Sequence, residues 1–221
     1  MVSALESVRR QAEELTQGFP PTHDWTHNLR VLKTVEMLAT RETRPVNMEV
    51  LQLATYLHDI ARKIEDDLGG KIDHAKKSAE MAAEILQKEG YSHDMIERVS
   101  HCIRAHRFRK NDGDEHPQSV EAEILYDADK LECIGAIGVA RSFMFAGENH
   151  YQLYRELSSD YDGLTREKDP KKHTANIEFE VKLKHIKNKL ITPVGRKMGE
   201  KRHYFMEQFF KQLEEEVKGQ R

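Results

Sequence analysis

Two cysteines, Cys102 and Cys133, in 221 residues exclude a disulfide framework and a Cys-rich zinc module, and that scarcity suits a reducing cytoplasm. No stretch is long and apolar enough to span a bilayer. The first residues, with Glu6, Arg9, Arg10, Glu13 and Glu14 spread among them, lack the apolar core of a signal peptide. A cytoplasmic protein with no membrane partner is expected. Charge of one sign is missing too: 35 Lys and Arg against 38 Asp and Glu leave a formal net charge of -3, so bulk nucleic-acid binding is not expected. Strand-like alternation bounded by turns is scarce, and no internal repeat or low-complexity tract stands out.

What is present is a helical pattern. Apolar residues recur at three and four spacings, and breakers at Gly18 to Pro21, Pro45, Gly69 and Gly70, Gly90, Asn111 to Pro117, Ser158 to Pro170 and Pro193 to Gly195 divide the chain into roughly eight to ten helices. The polar stretch from Ser158 to Lys172 reads as a surface loop before two final helices. The expected fold is all-α, a compact helical bundle in one domain over 1-221, with a C-terminal helical extension over 146-221. The amphipathic first segment, with Ala4, Val8, Ala12 and Leu15, has a face to dock on its own body or on a second subunit, which leaves an oligomer open.

Polar groups fall on the inward stripes of these helices. Asp24 is placed to cap a helix on which His27 shares a face with Val31, Val35 and Leu38. His58 continues the stripe of Leu51 and Ala54, and Asp59 follows it directly, setting a nitrogen donor beside a hard oxygen donor. Asp129 lies one turn beyond Leu125 in the run from Ile124 to Leu131. Burying these groups uncompensated would cost several kcal/mol. One divalent cation shared by His27, His58, Asp59 and Asp129 removes that cost, and four mixed N and O donors suit manganese, iron, magnesium or zinc with positions left open for water and substrate oxygens.

The order His27, then His58-Asp59, then Asp129 resembles the HD-domain metal-dependent phosphohydrolases. The local runs Asp24 to Val31, Tyr56 to Ile60 and Asp127 to Arg141 carry that resemblance, which covers residues 20-145. Thr192, Gly195, Arg196, Glu200, Lys201, Arg202 and Phe205 look like the tail of small stand-alone members similar to nucleotide pyrophosphohydrolases. The resemblance implies an HD-domain bundle and a metal-activated water attacking a phosphate ester or anhydride of a nucleotide-like small substrate. One departure is Arg62. Family members acting on guanosine tetraphosphate or on nucleoside monophosphates carry a glutamate at that place, which argues against both substrate classes here.

Further candidates surround the metal ligands. His74 follows Asp73 and opens a helix with Ala75, Ala79, Ala82 and Leu86, where anions bind well. His106 extends the stripe of Ile96, Val99 and Ile103. Similar proteins carry histidines in His-Ala-x-x-Ser-Ala and Ile-x-x-His, which implies phosphate binding, proton donation to the leaving group, or a second metal for these two. Arg62 and Lys63, at a helix end, and Lys130, beside Asp129, are candidates to contact a phosphate, each weighed against an ordinary surface charge. The expected catalytic set is Asp59, His74, Arg62, Lys63 and His106; the expected substrate contacts are Arg62, Lys63, His74, His106 and Lys130. Gly135 and Gly138 follow no strand pattern and read as close helix packing rather than a nucleotide loop. Phe143, Phe145, Tyr151, Tyr154 and Leu157 read as core or pocket wall. Two other readings stay open: phosphodiester cleavage of a cyclic nucleotide or RNA, and a non-catalytic helical regulator tied together by its metal.

Overall fold

The computed structural model describes residues 2–107, 115–157 and 173–221. Among these residues the secondary structure is helical and no strand forms. The expected loop from Ser158 to Lys172 lies outside the described residues, as do 111–114 of the expected break after Asn111. Contacts group the chain into two units, Met1–Asp129 and Lys130–Arg221.

The first unit contains α1 (Ala4–Leu15), α2 (Trp25–Thr40), α3 (Met48–Leu57), α4 (Arg62–Asp67), α5 (His74–Lys88), α6 (His93–Ala105) and all of α7 (Val120–Leu131) but Lys130 and Leu131. Short polar side chains start several of these helices by accepting from otherwise orphaned amides: Ser3 from Glu6, Asp24 from His27, Asn47 from Val50, Asp73 from Ala75 and Ser92 from Met95. Helix α3 is apolar almost all round, with Val50, Leu51, Leu53, Ala54 and Leu57 excluded from solvent, which makes it the central element of the unit. It packs against α1, α2 and α6, while α5 and α6 lie along each other. Each of its leucines contributes about 1.5–3 kcal/mol by leaving water. The apolar face of α1, with Val8 and Ala12 buried, docks on α3 of the same chain, whereas Leu15 is exposed. The α3 C-terminus therefore opens at the middle of the unit, and His58 is its C-cap.

The second unit contains α8 (Gly135–Glu148), α9 (Ala175–Val181), a 3-10 segment (Leu183–Lys189) and α10 (Pro193–Val217). Pro193 to Gly195 do not interrupt structure. They form the first turn of α10, capped by Thr192, because proline at the first helical position gives up an amide that has no partner there anyway. A Cβ on Gly138 would stand 2.3 Å from the Cys133 carbonyl oxygen, so only glycine lets the start of α8 fold back on the preceding turn. Phe179 and Phe210 stack with centroids 4.7 Å apart, and Phe143 meets Phe209 edge-on at 5.9 Å. Tyr154, Leu157, Phe179 and Phe210, together with Glu and Lys side chains, line a cavity of about 580 Å³. Arg202 donates to the Leu131 carbonyl and Arg196 to the Ile191 carbonyl, so both guanidiniums act on backbone.

Candidate metal centre

Every group that converges here comes from an end or a first turn of a helix in the first unit. His27 sits in the first turn of α2, held inward because Asp24 caps that turn and because its stripe carries Val31, Val35 and Leu38 into the core. His58 follows α3 and donates from Nδ1 to the Thr55 carbonyl at 2.8 Å. A carbonyl can only accept, so the proton lies on Nδ1 and the Nε2 lone pair faces the cluster. That Nε2 is buried and has no hydrogen-bond partner among the described residues. His106, after α6, repeats the device with the Ile103 carbonyl at 2.5 Å.

Asp59 divides its carboxylate between two sets of imidazoles. Its Oδ2 lies 3.7 Å from His58 Nε2 and 3.9 Å from His27 Nε2, and His27 Nε2 is 3.6 Å from Asp129 Oδ1. Its Oδ1 lies 3.3 Å from His74 Nε2 and 3.4 Å from His106 Nε2. Donors bound at about 2.1–2.2 Å to one tetrahedral or octahedral ion are roughly 3.0–3.6 Å apart, close to these spacings. One ligand atom from each of His27, His58 and Asp59 falls within 4.8 Å of the others, and the same holds for Asp59, His74 and His106. This buried His and Asp cluster, with the orphaned His58 Nε2 aimed into it, fits a divalent metal ion.

The electrostatics follow from burial and neighbours. Burial alone would raise the pKa of Asp59, but His58, with hydrogen bonds from His106 and His74, outweighs it and holds the carboxyl well below its usual range. Burial drives His106 below the ordinary histidine value, opposed by Asp59. For His74 burial acts in the same direction, yet the hydrogen bonds to Asp59 and Glu65 win and its pKa is raised.

Of the other expected contacts, Arg62 reaches the cluster's edge, with Nη1 3.5 Å from His74 Nδ1 and 3.5 Å from Glu65 Oε2. Lys63 does not come to the cluster through this geometry: its ammonium pairs with Asp67 at 3.2 Å on the exposed side of α4. Lys130 is buried in the last turn of α7. Pattern reasoning passes over Glu65 and Arg107. Glu65 is 3% exposed and accepts from His74 Nδ1 at 2.6 Å; Arg107 pairs with Glu65 and, at 2.6 Å, with Asp73. The run Arg62 to Asp67 reads as a solvated face, and only the helix's placement turns Glu65 inward.

The family model described as "HD domain" matches residues 24–134. A Bacillus subtilis (strain 168) protein, "Uncharacterized protein YpgQ", is 29% identical over 97% of this chain and 94% of its own length. The crystal structure of Bacillus subtilis YpgQ in complex with ADP matches with a TM-score of 0.73 at 25% identity, over 98% of this chain and 100% of that one. An HD-superfamily hydrolase from Bacillus thuringiensis matches with a TM-score of 0.71 at 25% identity, over 97% and 96% of the two chains.

Proposed function

Since the chain belongs to the HD domain family, we propose that this HD-type metal-dependent phosphohydrolase cleaves a phosphoanhydride bond of a nucleotide and releases pyrophosphate. The observation that carries the reading is Asp59, buried, with each carboxylate oxygen facing a pair of imidazole nitrogens. That donor set suits an exchangeable ion far better than a closed cysteine-rich structural zinc. The nucleotide part is supported by the ADP complex of YpgQ.

His27, His58, Asp59 and Asp129 are assigned as metal ligands. When bound, the divalent ion supplies Lewis-acid chemistry, acidifying water and drawing charge from a phosphoryl oxygen. The chain's own residues do the rest. The Thr55 carbonyl holds the His58 ring with Nε2 inward, so this donor needs no rearrangement on loading, and the Ile103 carbonyl fixes the His106 ring in the same way. His74 and His106 sit on the far side of Asp59 and are placed to contact the phosphoryl group. Arg62, 28% exposed along its side chain, stands at the edge beside Glu65 and His74, a cation for the phosphate oxygens on which charge accumulates in the transition state. The scheme calls on no serine or cysteine nucleophile and needs no covalent intermediate. Cys102 is buried with its thiol pushed up to about 12 by desolvation.

A second reading draws on the group Asp59, His74 and His106, whose donor atoms also lie within 4.8 Å of one another. Those three residues would hold a second ion, which would supply the two-metal chemistry that phosphodiester cleavage uses. Both are tested together. Metal-stripped protein is reloaded with manganese, magnesium or zinc, the bound metal is counted, and nucleoside mono-, di- and triphosphates, cyclic dinucleotides and a generic phosphodiester are offered beside Asp59→Ala and Asp129→Ala. Pyrophosphate released from a triphosphate with one metal per chain supports the first reading; diester cleavage with two supports the second. No turnover with metal bound overturns both.

A further inference from the structure

We propose that Arg107 is a positioning residue, whose guanidinium forks between Glu65 and Asp73 and thereby fixes the ring of His74 against Asp59. His74 is the first residue of α5, so two things set its ring: the course of the backbone entering the helix and the partner of its Nδ1. Asp73 sets the first. Its Oδ1 caps α5 by accepting from Ala75 N at 2.8 Å and Lys76 N at 3.4 Å. Glu65 sets the second, because Oε2 accepts from His74 Nδ1 at 2.6 Å and so turns Nε2 toward Asp59 Oδ1, 3.3 Å away. Arg107 joins the two carboxylates: Nη1 lies 2.6 Å from that same Asp73 Oδ1 and Nη2 donates to the other Glu65 oxygen, Oε1.

A planar guanidinium with nitrogens at a fixed separation can hold two carboxylates at a fixed spacing; a lysine ammonium, a single point on a flexible stem, cannot. The arginine side chain is only 8% exposed, so solvent does not loosen the fork. Arg107 also follows His106 directly, so the segment that anchors His74 is the one that delivers the second imidazole to Asp59 Oδ1. Helix α4 has six residues and no side-chain cap, yet it buries a glutamate whose two oxygens are both committed to this chain of contacts. Loss of Arg107 leaves the amide bonds of the α5 cap in place and frees Glu65 to shift.

The inference rests on the proposed site for its kinetic arm alone. Full-length Arg107→Met, Arg107→Lys and Asp73→Asn are compared with wild type by 15N-histidine spectra of the metal-free protein, the His74 signal being assigned by its loss in His74→Gln. On the best-cleaved nucleotide, kcat and KM are measured separately. Arg107→Met is expected to lose or broaden the hydrogen-bonded Nδ1 proton of His74 and to lower kcat roughly 10- to 100-fold with KM nearly constant. Arg107→Lys does not restore either. Asp73→Asn keeps a good cap but weakens one tooth of the fork, so it moves both readouts the same way by less, and it decides the matter if Arg107→Met fails to fold. An unchanged His74 proton in these variants overturns the inference whether or not the enzyme turns over. Wild-type inactivity on every nucleotide, with the His74 proton lost in Arg107→Met, overturns the proposed function and leaves the positioning role standing.

Discussion

Replacing Asp59 by asparagine keeps the shape of the side chain and removes the one charge that faces all four imidazoles. In the native centre both oxygens stand 3.3–3.9 Å from histidine nitrogens, and the donors are already gathered before an ion arrives. Binding to the folded state alone stabilises it by RT ln(1 + [L]/Kd), about 2.7 kcal/mol at a hundredfold excess over Kd. In a chain of 221 residues, where each kcal/mol moves the midpoint by about 2–4 °C, that corresponds to a rise of roughly 5–11 °C. An amide is a poor ligand for such an ion and cannot offset its charge, so Asp59→Asn is expected to lose most of this metal-dependent rise along with hydrolysis. The assay is differential scanning fluorimetry over a titration of manganese or zinc, starting from chelator-treated protein. An equal metal-induced rise in Asp59→Asn would refute the assignment of Asp59 to the centre.

Two further outcomes are expected. Burial tends to raise the pKa of Glu65, but His74 and Arg107 prevail and hold it at about 2 against 4.5 for a free side chain. A carboxyl depressed in the folded state contributes stability that is full above about pH 4.5 and is lost as pH falls toward 2, an effect of at most about 3 kcal/mol; urea unfolding across that window should show a shallower acid loss in Glu65→Gln, and an identical slope would count against the pairing. Cys102, buried and pushed up to about 12, should resist a thiol reagent until the chain unfolds, while the partly exposed Cys133 reacts in the native state; rapid modification of both thiols would contradict the burial.

Helix positions follow from local pattern. The stripe through His27, Val31, Val35 and Leu38 and the stripe through Leu51, Ala54 and His58 put both imidazoles inward, and both are fully buried. Asp24 reads as a cap because a short carboxylate before an apolar periodic segment has orphaned amides to accept from, and it does so; the structure shows Asp73 doing the same for the helix that His74 opens. Pro193 to Gly195 show where local reading falls short: Pro and Gly taken as a break form the first turn of α10.

What pattern cannot convey is which helix ends meet. Glu65 sits in a run of charged residues broken only by Ile64, and it becomes 3% exposed only because α4 is laid against α5. Its pairing with Arg107 spans 42 positions in sequence, a separation at which no periodicity of 3.6 carries information. The same limit applies to Asp59. Sequence places a carboxylate after an inward histidine, whereas the division of its two oxygens between the His27 and His58 side and the His74 and His106 side is set by the packing of α2, α5 and α6 around α3. Residue type and helical phase decide which groups are buried; the crossing of those helices decides which of them face one another, and the chemistry depends on the second.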